Sequence, residues 1–400
     1  VIAAKPGKSM KTALILLLLC IALAAPAQAP AAALQQEQDL TGPPAQAPTA
    51  ALQQAQDIID QIGQALAPDP RLALYVVHAA LHGDTLVVSG ETSVAAAHDS
   101  LQAQLGRMQC SPRRCSVALL PACAPGSRCA GIVTVSTALL RRGPSEKEEI
   151  INQGLLGDAL TILRDASYFH LVQLADGYIG YMDGGSVAAM SRDELATWQQ
   201  RPKVIYWKKW GEIHSARKAE SYPVSDIVLG ASVAVVKKEG KWLRVALPDG
   251  REGYVLRKEV MDAADFARQP KPRPKELAET ARQFLGYPYF WGGLSTKGFD
   301  CSGLTRTVYK LHGIQLPRDA NMQVHAGQPV RYDSTYAALQ PGDLLFFGRN
   351  IEHITHVGMY LGEGKFIHAG DLVLINSLRP RDPDFNPRRA RDLRAVRRIL

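Results

Sequence analysis

Cys301, His356 and His368 have the types and the spacing for nucleophilic chemistry. Gly298-Phe-Asp-Cys-Ser-Gly303 runs into Leu304, Val308 and Leu311, apolar at i, i+4 and i+7, which is one face of a helix. Asp300 is therefore expected as N-cap, with Cys301 in the first turn. A helix N-terminus carries about half a positive charge, so the thiol pKa is expected to be lowered there. A base follows downstream. Thr355–Leu361 and Lys365–Ala369 read as strands around Gly362-Glu363-Gly364. Closure by that three-residue loop pairs Leu361 with Lys365 and sets Gly358 opposite His368. His356 then lies diagonal to His368 on one face, with Cβ atoms about 7–8 Å apart. Gly358 leaves room between the rings, and a two-residue loop is expected to break this geometry. One imidazole can take the thiol proton while the other orients it. His353 is a rival base on a loop, whereas His312 and His325 read as structural.

These side chains need a scaffold. Lys275–Leu285 has helical spacing through Leu277, Ala281, Phe284 and Leu285, and Gly286–Gly293 is a turn-rich aromatic loop. They open a final domain, 275–400, behind a Pro-rich basic linker, 265–274, expected to be extended. Upstream, Leu155–Met182 aligns without gaps on Val228–Val255 at an offset of 73 residues. The identities include Leu156/Leu229, Gly157/Gly230, Asp176/Asp249, Gly177/Gly250, Gly180/Gly253 and Tyr181/Tyr254. Short strands with Asp-Gly turns at this pace read as two small β-barrels, 130–200 and 201–264. Duplicated scaffold is one reading of them. The other is that one barrel walls a substrate cleft, and Tyr178, whose counterpart is Arg251, favours the first. Residues 69–129 read as a small α+β module with a cysteine-rich loop. Leu72–Val88 gives strand, turn and strand around His82-Gly83-Asp84, followed by a helix (Ser93–Leu105) and a strand (Ser116–Leu120).

The chain has 400 residues, 46% hydrophobic and 21% charged, which excludes a wholly disordered or collagen-like protein. Its net charge is +8, but Arg379–Leu400 alone holds eight Arg against three Asp, so the excess is local and no nucleic-acid partner is expected. The residues before Met10 read as an upstream extension. Lys11, the apolar run Ala13–Leu23 and Ala24-Ala25 have the plan of a secretory signal peptide, 10–24. Cleavage is expected after Ala24. The run is shorter than the roughly 20 residues that span a bilayer, so the mature protein is expected without stable membrane insertion, periplasmic or secreted. Cys20 follows Leu17-Leu18-Leu19 rather than small residues, and lipid attachment is not expected. Pro26–Asp39 and Pro44–Asp57 are near-copies rich in Pro, Ala and Gln, and 25–68 is expected to be a tether. Cys110, Cys115, Cys123 and Cys129 are expected in two disulfides, with zinc the less favoured alternative, which leaves Cys301 as a free thiol.

Phe299-Asp-Cys-Ser-Gly303, His356-Val-Gly-Met-Tyr-Leu-Gly362 and Phe366-Ile-His-Ala369, in that order, resemble the NlpC/P60 family of cysteine peptidases. Asp176–Tyr181 and Asp249–Val255 resemble bacterial SH3-like domains. The implied fold class is α+β: a papain-like NlpC/P60 catalytic domain preceded by two small SH3-like β-barrels and a small α+β N-terminal module. The resemblance is closest to the subgroup that cuts the γ-D-glutamyl–diamino acid bond of cell-wall peptides. It implies Cys301 as nucleophile, His356 as base and His368 as the orienting residue. The Tyr289 hydroxyl, with the Cys301 backbone N–H, serves the oxyanion. Leu316-Pro-Arg-Asp-Ala320 is similar to the segment whose acid holds the free amine of an N-terminal L-Ala. Asp319 takes that role or caps a helix Ala320–His325. Ser302 is implied at the D-Glu carboxylate. Tyr178 and Glu149, the latter on its spacing to Gln153, complete the amine pocket, and Trp291 joins the substrate-binding set. No metal or cofactor is implied.

The function expected is therefore an exported cysteine endopeptidase acting on murein stem peptides already freed of glycan. Two other classes compete with it. A wall-binding protein with a dead final domain is disfavoured by the intact Cys301/His356/His368 set. An acyltransferase or lipid-directed relative on the same fold is disfavoured by the barrels and the Asp319 segment.

Overall fold

The structure, a computed structural model, describes residues 46–109, 112–166 and 168–400. The expected signal segment 10–24, the first part of the tether, 25–45, and residues Cys20 and Cys110 lie outside the described residues. No helix among the described residues is long and apolar enough to cross a membrane.

The remainder of the expected tether is not one. Gln46–Leu66 is a helix whose Ala55, Ile59 and Ile62 are buried. They pack in one core with Val77, Leu86 and Val88 of a hairpin and Leu101 of the helix Ala95–Arg107. Full burial of an isoleucine contributes about 1.5–3 kcal/mol, enough to turn a Pro/Ala/Gln segment into a docked helix once Ile58–Ile62 supply an apolar face. The hairpin strands Tyr75–His82 and Thr85–Thr92 pair antiparallel, and Arg113–Leu119 joins the second in parallel. Of the expected disulfides, Cys123–Cys129 is formed. Cys115 is free, its side chain packing half-buried against the module core. The Cys123–Cys129 bond also takes two of the four thiols out of any zinc site.

The repeat is architectural. Strands Ala159–Arg164, Phe169–Leu174 and Ile179–Asp183 have counterparts Ser232–Glu239, Trp242–Ala246 and Glu252–Leu256. Each set sits at the centre of a seven-stranded sheet, and the two sheets share one strand order. Gly157 and Gly230 both have φ near +90°, as do Gly177 and Gly250. A Cβ at Gly157 would stand 2.2 Å from the Ser232 carbonyl oxygen, so this glycine is also what lets the two barrels touch. Arg251, the counterpart of Tyr178, reaches across the same junction to the Thr134 carbonyl at 2.9 Å.

The final domain is a six-stranded antiparallel sheet. Helices Pro274–Arg282 and Cys301–Lys310 cover one face through Leu277, Leu304 and Val308, which meet Val357, Met359 and Ile367. The expected hairpin forms between Ile354–Gly362 and Lys365–Ala369, with one difference. Its loop is two residues, Glu363 (φ 54°) and Gly364 (φ 80°), and Gly362 pairs with Lys365. The geometry survives because the register shifts between Tyr360 and Gly362: a bulge at Leu361 restores the Tyr360–Phe366 and Met359–Ile367 pairs. Gly358 therefore stands beside His368 as expected. A Cβ on it would be 3.2 Å from that of His368.

The barrels and the final domain are fastened together. Gln153 of the first barrel accepts the Leu294 N–H at 3.0 Å, and Leu294 packs into the core of the second barrel. Lys297 donates to Ser136 and pairs with Asp226, both at 2.7 Å.

Candidate active site

Asp300 caps the nucleophile helix as expected, its carboxylate accepting the Gly303 N–H at 2.6 Å. The same carboxylate takes two bonds from Arg318, at 2.5 and 3.1 Å. Arg318 is only 1% exposed and also donates to Ser302 Oγ (3.0 Å) and to Asn152 Oδ1 of the first barrel (2.8 Å). A buried guanidinium with every neighbour an acceptor thus locks the turn that carries Cys301. Cys301 is itself buried. Burial, then the charge of Asp300, pushes its thiol up to about 11, against hydrogen bonds from the backbone amides of Val357 and Ser302. The expected lowering by the helix N-terminus is overridden by burial. The resting group is a thiol that needs a base.

The expected base lies next to Val357, whose backbone amide bonds the sulfur. His356 and His368 are both buried, with His356 Nε2 2.9 Å from His368 Nδ1 and their rings edge to face. His368 Nε2 in turn lies 3.0 Å from Asn376 Oδ1. Burial holds His356 well below the ordinary histidine range, helped by the positive charge of Arg389. Burial likewise lowers His368 to about 4, partly opposed by its bond to Asn376. The Arg389 guanidinium lies 5.6 Å over the Phe347 ring, which packs against His356. Both imidazoles are neutral at neutral pH. The rival His353 is exposed and bonded to Asn350, His312 is bound to Thr280, and His325 is on the surface.

The depressed pKa of His368 has a consequence for stability. Above pH ~6.5, the ordinary histidine value, neither folded nor unfolded chain protonates this ring. From there down to about 4 the unfolded chain binds a proton that the folded one refuses, so stability falls; below that, both are protonated and the loss is complete. The drop corresponds to about 3 kcal/mol for this ring alone. Urea unfolding at pH 7 and pH 4.5 should show a smaller acid loss in His368→Gln than in the wild type. Equal losses would remove His368 from the account.

Tyr289 is partly buried, and its hydroxyl is raised to about 12 by burial first and then by the charges of Cys301 and Asp300. It therefore stays a hydrogen-bond donor. As the first helical residue, Cys301 also has a backbone N–H with no carbonyl four positions back in the helix. These are the two donors expected for an oxyanion.

The substrate-binding set is divided. Asp319 makes no side-chain cap to the helix Ala320–Gln323. Its Oδ2 instead accepts from the buried Tyr178 hydroxyl at 3.0 Å and from Arg71 at 2.7 Å. The barrel and the final domain thus meet at the acid proposed for the amine. Arg71, from the N-terminal module, is held by a two-pronged bond to Asp69 and by the Ile179 N–H on its carbonyl. Glu149 does not join this cluster: Arg142 and the exposed Trp291 take its oxygens, at 2.8 and 2.9 Å. Ser302 departs from expectation, since its hydroxyl is buried and donates to Asp300 at 3.1 Å while accepting from Arg318. Sequence reasoning missed Arg318, Asn376, Arg389 and Arg71. Only Arg318 had a signal, a charge inside the Leu316–Ala320 segment already singled out.

A thiol on a helix start, packed against the antiparallel strands that carry paired histidines, defines a papain-like α+β cysteine hydrolase built against SH3-like barrels. Residues 286–384 match the NlpC/P60 family, and residues 140–186 match the bacterial dipeptidyl-peptidase SH3 domain. The C-terminal domain belongs to the NlpC/P60 family of cysteine peptidases. The chain is 34% identical over 201 residues to a Bacillus cereus protein named gamma-D-glutamyl-L-lysine dipeptidyl-peptidase, covering 48% of this chain and 57% of that one. A Bacillus subtilis protein of the same name is 37% identical over 139 residues, 34% of this chain and 43% of its own. The chain thus spans about half the length of these two relatives. Dipeptidyl-peptidase 6 of Lysinibacillus sphaericus is 29% identical, over 66% of this chain and 97% of its own length. A crystal structure of an NlpC/P60 family protein from Bacillus cereus superposes with a TM-score of 0.59 at 25% identity, covering 68% of this chain and 99% of that one.

Proposed function

We propose that the protein is an exported cysteine endopeptidase that cleaves the γ-D-glutamyl–diamino acid bond of murein stem peptides bearing a free N-terminal L-Ala. His356 takes the Cys301 proton as the sulfur attacks the γ-carbonyl. The oxyanion is received by the Cys301 N–H and the Tyr289 hydroxyl. Collapse expels the diamino acid amine, which recovers the proton from His356, and water then hydrolyses the thioester. The relatives' names support the bond cleaved. The observation that carries the reading is the meeting of Tyr178 with Asp319 where the first barrel adjoins the domain that bears Cys301.

The free amine follows from charge. Asp69, Arg71, Asp319, Arg318 and Asp300 form one chain of ion pairs, three acids against two bases, and a substrate ammonium neutralises the remaining negative charge through a charge-assisted bond. Losing such a bond costs about 1.5–3 kcal/mol, so N-acetylating the L-Ala should lower kcat/KM by roughly tenfold or more. Asp319→Asn should erode that preference. The test is to incubate L-Ala-γ-D-Glu-diaminopimelate and its acetylated form with the protein and weigh the products. Release of L-Ala-D-Glu and free diaminopimelate, faster from the free-amine peptide, is expected. Equal rates would leave a general wall endopeptidase, and cleavage elsewhere would overturn the reading.

A further inference from the structure

The groups behind His368 decide which nitrogen of His356 is bare. Asn386 caps the helix Pro387–Asp392, its Oδ1 accepting the Arg389 N–H at 3.0 Å. Its Nδ2 is therefore the atom turned toward Asn376, 2.9 Å from Oδ1. A donor on one side requires oxygen on the other, so the orientation of Asn376 is set. That same Oδ1 lies 3.0 Å from His368 Nε2 and can only accept, so Nε2 carries the proton and Nδ1 of the neutral ring is a lone pair. His356 Nε2, at 2.9 Å, must donate into it. The proton of His356 is then on Nε2, and Nδ1 is bare. Nδ1 is the ring nitrogen nearer the backbone, where the adjacent Val357 amide bonds the Cys301 sulfur.

We propose that Asn386 is a positioning residue for catalysis: through Asn376 and His368 it holds His356 in the tautomer whose Nδ1 is free to take the Cys301 proton. The inference rests on the assignment of His356 as the base. Its signature is a one-atom change. Aspartate caps a helix as well as asparagine, so Asn386→Asp keeps the Arg389 bond but presents an oxygen to Asn376. Asn376 then turns its amide to donate, giving up a long 3.4 Å bond from Nδ2 to the Asp384 carbonyl and setting its Oδ1 toward that oxygen instead, a smaller conflict than two oxygens at 2.9 Å. Its Nδ2 now faces His368 Nε2, which must accept. The proton of His368 moves to Nδ1 and donates to His356 Nε2, and the proton of His356 moves to Nδ1, where the base should be. Asn386→Ala loses the cap but forces no reversal.

Asn386→Asp is therefore expected to melt near the wild type while kcat falls at least about 10²-fold, the scale of general-base assistance. Asn386→Ala should be the less stable protein and the more active of the two. In a Cys301→Ala background, nitrogen-15 spectra should show His356 Nδ1 unprotonated when Asn386 is intact and protonated when the Asn386→Asp change is added. A kcat within about threefold of wild type for Asn386→Asp, or activity that follows stability across both variants, would overturn the proposal. If the wild type cleaves no γ-D-glutamyl peptide, the proposed function fails, and the nitrogen spectra still decide the tautomer.

Discussion

Cys301→Ala should leave hydrolysis of L-Ala-γ-D-Glu-diaminopimelate undetectable while the circular dichroism spectrum stays that of the wild type. Removing the nucleophile from a comparable serine triad costs on the order of 10⁶-fold in kcat, and nothing in this site offers a substitute attacking group. The thiol is protonated at rest because burial outweighs the helix N-terminus. In the proposed mechanism attack and proton transfer to His356 are therefore coupled, and a variant lacking the sulfur has neither. The fold should tolerate the change because the cap, Asp300, and its partner Arg318 are untouched. Turnover near the wild-type rate would remove Cys301 from the mechanism.

The largest loss of stability is expected from Arg318→Met. Arg318 is 1% exposed and Asp300 10%. Removing the guanidinium leaves the Asp300 carboxylate buried and unpaired, at about 3–5 kcal/mol. It also frees Ser302 and Asn152, so the nucleophile turn and the first barrel lose a shared anchor. Adding Asp300→Asn removes the stranded charge, so the double variant should recover part of the loss. Denaturant unfolding of the single and double variants measures this. A cost below about 1 kcal/mol for Arg318→Met would show that the pair is not what holds the turn.

Much of this was legible because the signals are local. The Asp300 cap, the helical face beyond Cys301 and the two histidine strands each lie within a dozen residues. The barrels announced themselves through glycines that their turns require, Gly157 and Gly177 matching Gly230 and Gly250. What escaped was nonlocal or set by burial. Arg318 reads as a surface charge until Asp300 and Asn152 are brought around it. Arg71 lies 248 residues from Asp319 in sequence and belongs to a module with no visible chemistry. Asn376 and Asn386 carry no motif, since an amide matters there only for the direction of its hydrogen bonds. The thiol pKa was read from the helix start, which the sequence shows, and settled by desolvation, which it does not. The tether failed at its far end because composition hid the apolar face that runs through Leu52, Ala55, Ile59 and Ile62.

The barrels record a division of labour. After each Asp-Gly turn the backbone is the same: Tyr178 and Arg251 both donate their N–H to the aspartate two residues before, Asp176 and Asp249. The side chains have parted company. Tyr178 turns to Asp319 of the final domain, whereas Arg251 grips the Thr134 and Val224 carbonyls, one in each barrel. One copy of the duplicated turn reaches the final domain, and the other has become a rivet between the barrels. Loss of its grip would leave the first barrel still held by its bonds to the final domain.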